Sequence, residues 1–186
     1  MSRIWFTSDL HFGHNKEFLY GPRGFSNAWE MSEKIVENWN KVVAPEDDVY
    51  VLGDLMLGDN EYGRKMICQL KGNLHIILGN HDTEARQEIY RNLYNVIEVC
   101  YAKQIKIDGW NFYLSHYPTM TCNLEKDFSK RCLLNLYGHT HQKGNFYNGF
   151  PFCYHVGLDS HNNTPVSFEQ VIEDIINEVK DCEYYL

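Results

Sequence analysis

The sequence predicts an α/β fold in which a sandwich of β-sheets carries helices on its outer faces. Two observations lead to this prediction. In the first half of the chain, short apolar runs alternate with segments whose apolar residues recur at helical spacing. In the second half, alternating apolar and polar runs flank Asp108-Gly109 and Asn148-Gly149, two dipeptides that favour the tight turn of a β-hairpin.

Three short runs in the first half predict strands, namely 3–8 (RIWFTS), 48–53 (DVYVLG) and 74–79 (LHIILG). They are rich in isoleucine, valine and aromatic residues and leave little room for a polar face. Such runs are typical of strands that are covered on both faces, in a parallel or mixed sheet.

Helical patterns follow these strands at 27–43, 60–71 and 83–94. Asn27 with Glu30 predicts a capping box at the start of the first helix. The alternation of strands with helices predicts right-handed crossover connections between parallel strands.

The second half predicts further strands and one closing helix. Hairpins are expected over 103–116 and 145–157, and the apolar segment 132–136 (CLLNL) is long enough to form a strand between them. Ser167 with Gln170 predicts a capping box, and the apolar positions that follow have helical spacing.

Composition restricts the class of protein. The chain has 186 residues, of which 44% are hydrophobic, so we expect a single domain over 1–186 with a substantial core. The formal net charge of −8 disfavours an extensive nucleic-acid-binding surface. No apolar run is long enough to span a bilayer and no secretion signal is present, which predicts a cytoplasmic protein that does not enter membranes. The six scattered cysteines are expected to be reduced thiols.

Polar residues of the types that bind metals cluster where the predicted strands end. They are Asp9, His11, Asp54, Asn80, His81, Asp82, His116, His139 and His141. The carboxyl ends of parallel strands meet at one edge of a sheet, so these side chains are expected to lie close together. The sequence does not reveal the direction of the strands before His116 and His139.

The chemistry of this set suits a pair of divalent cations. The carboxylate of Asp54 has two oxygens and could bridge two metals, and the amide and imidazole groups complete a mixed set of oxygen and nitrogen donors. Such ligands favour manganese, iron or zinc over magnesium. Two neighbouring metals would activate water for hydrolysis of a phosphate ester. A single Asp or Asn after a strand is usually a turn or a helix cap, but five such coincidences favour a site.

Five segments resemble, in order, the motifs of the calcineurin-like metallophosphoesterase superfamily. They are SDLHFGH (8–14), LGDLM (52–56), LGNHD (78–82), LSHYP (114–118) and YGHTH (137–141). The segment 155–172 also looks like the tail of the small single-domain bacterial and phage members. The protein phosphatases of this superfamily carry GDxVDRG and GNHE, whereas this chain has GDLMLGD and GNHD, which disfavours that activity.

The resemblance implies a four-layered αββα sandwich of two mixed β-sheets flanked by helices. It implies that one metal is held by Asp9, His11, Asp54 and His141, and the other by Asp54, Asn80, His116 and His139. His81 would be the catalytic histidine, oriented by Asp82, and a hydroxide that bridges the two metals would attack phosphorus. Manganese is the first choice for both cations, with iron, zinc or nickel as alternatives.

Other residues have weaker signals. His14, Asn15 and His161 are candidates for contact with the substrate, although each could equally belong to a solvated loop. Arg23 is interpreted as an ordinary surface charge. The polar segment 118–130 is expected to form a wall beside the substrate, with a simple covering loop as the alternative.

The predicted function is therefore metal-dependent hydrolysis of a phosphodiester, or of a small phosphomonoester such as a nucleotide, by a monomer or homodimer. The alternative is a catalytically silent binding or scaffold module with the same fold. Retention of every expected ligand and of His81 favours the enzyme.

Overall fold

The computed structural model describes residues 2–121 and 128–181. The elements found there are, in chain order, β1 (Ile4–Thr7), α1 (Glu17–Tyr20), α2 (Ala28–Val42), β2 (Asp48–Leu52), α3 (Asn60–Ile67), β3 (Asn73–Ile77), α4 (Glu84–Arg91), β4 (Val96–Cys100), β5 (Ala102–Ile107), β6 (Trp110–Ser115), β7 (Leu133–Tyr137), β8 (Phe146–Tyr147), β9 (Phe150–His155), β10 (Val166–Ser167) and α5 (Phe168–Asp181).

The first sheet has the order β10-β1-β2-β3-β4. Strands β1 to β4 are parallel neighbours, and β10 runs antiparallel to β1 at one edge. The predicted strands at 3–8, 48–53 and 74–79 are thus confirmed as β1, β2 and β3. Strands β4 and β10 were not predicted.

Both faces of the first sheet are covered, which explains the continuous apolar runs. Val49, Val51, Leu74 and Ile76 point to one face and pack with the apolar residues of α2 and α3. Successive side chains of a strand point to opposite faces, so their neighbours belong to a second core on the other side.

The second sheet has the order β5-β6-β7-β9-β8. Both predicted hairpins are present, joining β5 to β6 and β8 to β9. Asp108, Gly109, Asn148 and Gly149 all have positive φ, as expected for the two-residue turns that match the twist of a hairpin. Strands β6, β7 and β9 are parallel to one another, which settles the strand directions that the sequence left open.

The two predicted N-cap residues, Asn27 and Ser167, cap their helices, but the Gln170 half of the second predicted capping box is wrong, because that side chain donates to Asp174 (2.7 Å). The Asn27 side chain accepts a hydrogen bond from the backbone N–H of Glu30 (2.9 Å), and the Glu30 carboxylate accepts one from the N–H of Ser26 (2.8 Å). The Ser167 hydroxyl accepts a hydrogen bond from the N–H of Gln170 at the start of α5 (3.2 Å). These contacts occupy N–H groups that have no partner within the helix.

The two sheets face each other across the second core. Phe6 and Ile77 of the first sheet lie in one cluster with Phe112 and Leu136 of the second, and α5 joins this cluster through residues such as Ile175. The predicted α/β fold, with two mixed sheets and flanking helices, is confirmed. None of the helices in the described part of the chain is both long and apolar enough to cross a membrane.

Candidate metal centre

The carboxyl ends of five parallel strands, β1 to β3 in one sheet and β6 and β7 in the other, bring the predicted metal ligands together. A parallel bridge between Ser8 and Gly157 ties the two sheets to each other beside this point. The seven side chains that converge are Asp9, His11, Asp54, Asn80, His116, His139 and His141.

One group of ligands surrounds Asp9. The Nε2 atoms of His11 and His141 lie 3.1 Å apart, and each lies 3.7 Å from Oδ1 of Asp9. Oδ2 of Asp9 is already used, because it accepts hydrogen bonds from the Ser8 hydroxyl (2.6 Å) and the His139 backbone N–H (2.9 Å). Oδ1 is therefore the oxygen that faces the two imidazoles.

A second group is centred on Asn80. Its Oδ1 lies 2.9 Å from Nε2 of His116 and 2.9 Å from Nδ1 of His139. Nδ1 of His116 donates to the carbonyl oxygen of Leu52 at 2.8 Å, which leaves the lone pair of Nε2 directed at Asn80 in the neutral imidazole.

Asp54 lies between the two groups. Its Oδ2 is 3.9 Å from Nε2 of His11 on one side and 3.5 Å from Nε2 of His116 on the other. Its Oδ1 accepts a hydrogen bond from the His81 backbone N–H (2.9 Å), which fixes the orientation of the carboxylate.

These residues fit divalent cations. Oδ1 of Asp9 is buried and has no hydrogen-bond partner among the residues that the structure describes. A buried oxygen without a partner is costly, and a cation would satisfy it. Ligand atoms of Asp9, His11 and His141, and likewise of Asp9, Asp54 and His116, lie within 4.8 Å of one another. Carboxylate, amide and imidazole donors suit manganese, iron or zinc.

The backbone at the site is unusual. Five of the seven ligands adopt the left-handed conformation with φ between 49° and 69°: Asp9, His11, Asp54, His139 and His141. This region is unfavourable for residues other than glycine and is found most often at functional sites. All five residues lie in the loops that follow β1, β2 and β7.

Two glycines allow the backbone to approach the ligands closely. A Cβ atom at Gly79 would collide with the Asp54 carboxylate, and one at Gly138 would lie 2.7 Å from Oδ2 of Asp9. Both contacts are too short for a real side chain. The glycine of the second motif, Gly53, is constrained in the same way, because its φ is 91° and a Cβ there would lie 2.5 Å from Nδ1 of His116.

Burial and mutual charge set the protonation of the ligands. Burial holds the pKa of His11 well below its usual value, despite the opposing charge of Asp9, so this imidazole is neutral and able to bind a metal. Burial would raise the pKa of Asp9, but the imidazoles of His11 and His141 and the hydrogen bond from Ser8 outweigh it and lower the pKa. The carboxylate is thus kept charged.

The buried Arg23 and the half-buried Asp159 support the candidate ligands, and the sequence analysis assigned neither of them this role. Asp159 accepts a hydrogen bond from Nδ1 of His141 (2.9 Å), and Arg23 donates to both oxygens of Asp159 through Nε (2.9 Å) and Nη2 (2.7 Å). Nη2 of Arg23 also donates to the backbone carbonyl of Asp9 (2.8 Å). The interpretation of Arg23 as a surface charge is wrong, because its side chain is only 1% exposed. Arg23 lies in a loop, and its partner Asp159 is 136 residues away in the sequence, so no local pattern indicated that the two would pair.

His81 and Asp82 have different surroundings. The His81 ring is 42% exposed, and its Nε2 lies 4.0 Å from Oδ2 of Asp54. Asp82 is buried, and its carboxylate accepts hydrogen bonds from the backbone N–H groups of Asp54 (2.9 Å) and Gly79 (2.8 Å) and from the Tyr90 hydroxyl (2.7 Å). Asp82 therefore holds the ends of β2 and β3 together, and none of its described hydrogen bonds reaches the His81 ring.

The three residues predicted to contact the substrate do not lie together in the structure. His14 lines a cleft above the ligands, with its ring 5.4 Å from that of His11. Asn15 is exposed and is not among the residues that line this cleft. His161 is not brought to the cleft: its Nε2 bonds to the carbonyl oxygen of His155 (2.9 Å) and its ring stacks on Tyr154.

The cleft has a volume of about 570 Å³ and opens directly over the ligands. The imidazoles and carboxylates form its floor, and an apolar wall rises beside His14. Residues 122–127 of the predicted wall segment 118–130 lie outside the described residues.

Comparison with known proteins gave one family and several relatives. Residues 3–157 match the calcineurin-like phosphoesterase superfamily domain. An uncharacterized protein of Methanocaldococcus jannaschii is 31% identical over 181 residues, covering 93% of this chain and 91% of that protein. The Gene 66 protein of Mycobacterium phage D29 is 28% identical and covers 97% of this chain and 99% of its own length. A crystal structure of a protein of unknown function from Aquifex aeolicus superposes with a TM-score of 0.71, at 22% identity, covering 93% of this chain and 99% of that one.

Proposed function

The chain belongs to the calcineurin-like phosphoesterase superfamily, and on this premise we propose that it hydrolyses phosphate esters with two divalent cations. We further propose that its substrates are phosphodiesters or small phosphomonoesters and that manganese is the preferred cation. Iron, zinc and nickel are the alternatives that the donor set allows.

One observation carries the proposal: candidate metal-binding atoms converge in pairs at two adjacent points of the site. Nε2 of His116, whose other nitrogen donates to a carbonyl oxygen, faces Oδ1 of Asn80 at 2.9 Å. Nε2 of His141, whose other nitrogen faces the Asp159 carboxylate, lies 3.1 Å from Nε2 of His11. At the first point the tautomer of His116 that donates from Nδ1 leaves two acceptors facing each other, and a cation would satisfy both.

The residues divide into two sets around Asp54. Its Oδ2 lies within 4 Å of one imidazole nitrogen from each side, which supports its assignment as the shared ligand. One cation would be held by Asp9, His11, Asp54 and His141, and the other by Asp54, Asn80, His116 and His139. When bound, these cations would lower the pKa of a water molecule and neutralise the charge that develops on the phosphate.

His81 is the proposed catalytic residue of the protein itself. Its backbone N–H donates to Asp54, so the main chain is fixed while the ring remains exposed to the cleft. An imidazole in this position can donate a proton to the leaving oxygen of the ester. Asp82 acts as a positioning residue through the backbone of Asp54 and Gly79 rather than through the His81 ring.

The test measures metal content and turnover separately. The purified protein is loaded with Mn²⁺, its metal content is measured by mass spectrometry, and hydrolysis of bis-p-nitrophenyl phosphate and p-nitrophenyl phosphate is followed. We expect two metals per chain and metal-dependent turnover of at least one ester. Asp54→Ala should lose metal occupancy, whereas His81→Ala should keep both metals and lose most of its turnover.

His75→Gln is a matched control, because His75 is bonded to Asp48 and Glu98 and does not line the cleft. It should keep both metals and full turnover. A protein that binds no metal and hydrolyses neither ester would overturn the proposal and favour the scaffold module instead. Full activity in His81→Ala would remove His81 from the mechanism.

A further inference from the structure

The cleft over the metal ligands has one apolar wall, formed by Phe18, Leu19, Pro22 and Leu57. We infer that this wall binds a planar aromatic group, such as a nucleobase, carried by the phosphodiester, and that Phe18 determines this specificity. The inference rests on the proposed function and names the class of ester that the site would accept.

Phe18 is exposed to an unusual degree for its type, with 73% of the residue accessible, yet it lines a concave surface. Its neighbour Leu19 is 5% exposed and packs in the core, so α1 is anchored on one side while Phe18 is directed into the cleft. An aromatic side chain held at the rim of a cavity is a common feature of ligand sites that recognise apolar groups.

The segment that carries Phe18 is held in place at its other end. Arg23 is bonded to the Asp159 carboxylate and to the backbone of Asp9, and the backbone N–H of Phe25 donates to the carbonyl oxygen of Tyr20 (3.0 Å). The ring is therefore presented by a fixed turn, which lowers the entropy lost when a ligand stacks on it.

A chain of ring contacts connects the wall to the candidate metal centre. The Phe18 ring contacts the His14 ring edge-on at 5.7 Å, and His14 contacts His11 at 5.4 Å. His11 in turn lies 5.7 Å from His81. Two ring contacts thus separate Phe18 from a metal ligand, which places an aromatic substituent of the ester within reach of the wall while its phosphate lies at the floor.

The charges around the cleft restrict the rest of the substrate. No lysine or arginine is among the described residues that line it, so positive charge at its floor would come from the two proposed cations. Polyphosphates and long nucleic acids are normally held by several cationic side chains. The cleft therefore favours an ester with a single phosphate group of low charge, with affinity supplied by the apolar wall.

The experiment compares two cyclic diesters that share the same reacting ring. Adenosine 2′,3′-cyclic phosphate carries a base, and ethylene phosphate does not. For the Mn²⁺-loaded protein, kcat/KM is measured for each by chromatography or ³¹P NMR. Stacking of a base on an aromatic side chain predicts that Phe18→Ala lowers kcat/KM about tenfold for the nucleotide and leaves ethylene phosphate unchanged.

Three further variants separate stacking from other effects. Phe18→Trp should keep the preference for the nucleotide, and Phe18→Leu should lose part of it, because leucine retains apolar area without a ring. Tyr101→Ala removes another exposed aromatic residue, which is 76% accessible and does not line the cleft. This variant should leave kcat/KM unchanged for both diesters. Substitution of an exposed residue is expected to leave folding intact.

Failure of this inference can be told apart from failure of the proposed function. If the wild-type protein hydrolyses esters but Phe18→Ala lowers kcat/KM equally for both diesters, or changes neither, the specificity role of Phe18 is wrong. If the metal-loaded wild-type protein hydrolyses no phosphate ester at all, the proposed function itself fails.

Discussion

Replacement of Asp159 by asparagine tests whether the buried pair behind His141 supports the metal centre. The Asp159 carboxylate accepts three hydrogen bonds, two from Arg23 and one from Nδ1 of His141. Asparagine has nearly the same shape but only one acceptor oxygen and no charge. At least one of the three bonds must therefore be lost, and the Arg23 guanidinium is left buried without a counter-charge.

The expected cost follows from the burial of these groups. The side chains are 1% and 11% exposed for Arg23 and Asp159, so solvent screens their interaction little. Hydrogen bonds to charged groups contribute about 1.5–3 kcal/mol each, and removal of one partner from a buried pair costs about 3–5 kcal/mol. We expect Asp159→Asn to lower the free energy of unfolding by about 3 kcal/mol, which corresponds to a fall in Tm of about 6–12 °C.

The same change should weaken metal binding. The bond from Nδ1 to Asp159 orients the His141 ring so that its Nε2 faces Asp9. Loss of such a supporting carboxylate typically weakens metal affinity by about 10–100-fold. Isothermal titration with Mn²⁺ measures the affinity, and thermal unfolding of the metal-free protein measures stability.

Asp48→Asn is the matched control, because Asp48 also bonds to a histidine, His75, but is 37% exposed and lies outside the cleft. It should leave the Mn²⁺ affinity unchanged and cost less than about 1 kcal/mol of stability. If Asp159→Asn binds Mn²⁺ with wild-type affinity, the role of Asp159 in orienting His141 is refuted. If its stability is also unchanged, the reasoning about the buried pair fails as well.

Three further predictions concern single positions. Asp47 is buried, but hydrogen bonds from two backbone amides and the Trp5 indole outweigh burial and lower the pKa of its carboxyl from 3.8. The stabilisation by the charged carboxylate is therefore present at neutral pH and is lost as the pH falls below about 4. Asp47→Asn should lower the free energy of unfolding in urea by about 2 kcal/mol at pH 7, and this difference from the wild type should shrink in acid. Gly138→Ala should weaken Mn²⁺ binding about tenfold or more in titration calorimetry, because its Cβ would press on the Asp9 carboxylate. Burial lowers the pKa of His155 from 6.5 to about 4, so on acidification this histidine binds a proton in the unfolded chain before it does so in the folded one. Proton binding by the unfolded chain lowers the free energy of unfolding of the wild type between pH 6.5 and 4. His155→Asn should reduce that loss by on the order of 3 kcal/mol, as measured by urea unfolding at the two pH values.

The sequence predicted that the candidate ligands lie close together because two independent rules agreed. Buried strands leave continuous apolar runs, and parallel strands deliver their carboxyl ends to one edge. Asp9, Asp54 and Asn80 follow such runs directly, so their proximity could be inferred before any contact was known. For His116 and His139 the inference needed the parallel pairing of β6 with β7, which only the structure provides.

The strands that were missed lie at the edges of the first sheet. Strand β4 is an edge strand with no fully buried residue, and β10 has only two residues. Partly exposed and very short strands leave little periodic signal in a sequence. The hairpin dipeptides, in contrast, act locally, and both were predicted correctly.

The supporting residues were missed for a different reason. The pairing of Arg23 with Asp159 and the hydrogen bonds of Asp82 to two strand ends are tertiary contacts between distant segments. Nothing in the local sequence distinguishes a buried arginine from an exposed one. His161 lies two residues after Asp159, but its ring turns onto Tyr154 instead of into the cleft.

The left-handed backbone at five of the ligands has a consequence for how such a chain could evolve. At each of these positions glycine would relieve an unfavourable conformation, so a mutation that destroys the site would also relax the fold. The backbone contribution thus does not oppose loss of the candidate ligands, whereas the hydrogen bonds of the Asp9 and Asp54 carboxylates and selection for metal binding would retain them. A descendant freed from that selection should accumulate glycine or asparagine at positions 9, 11, 54, 139 and 141 before its core changes.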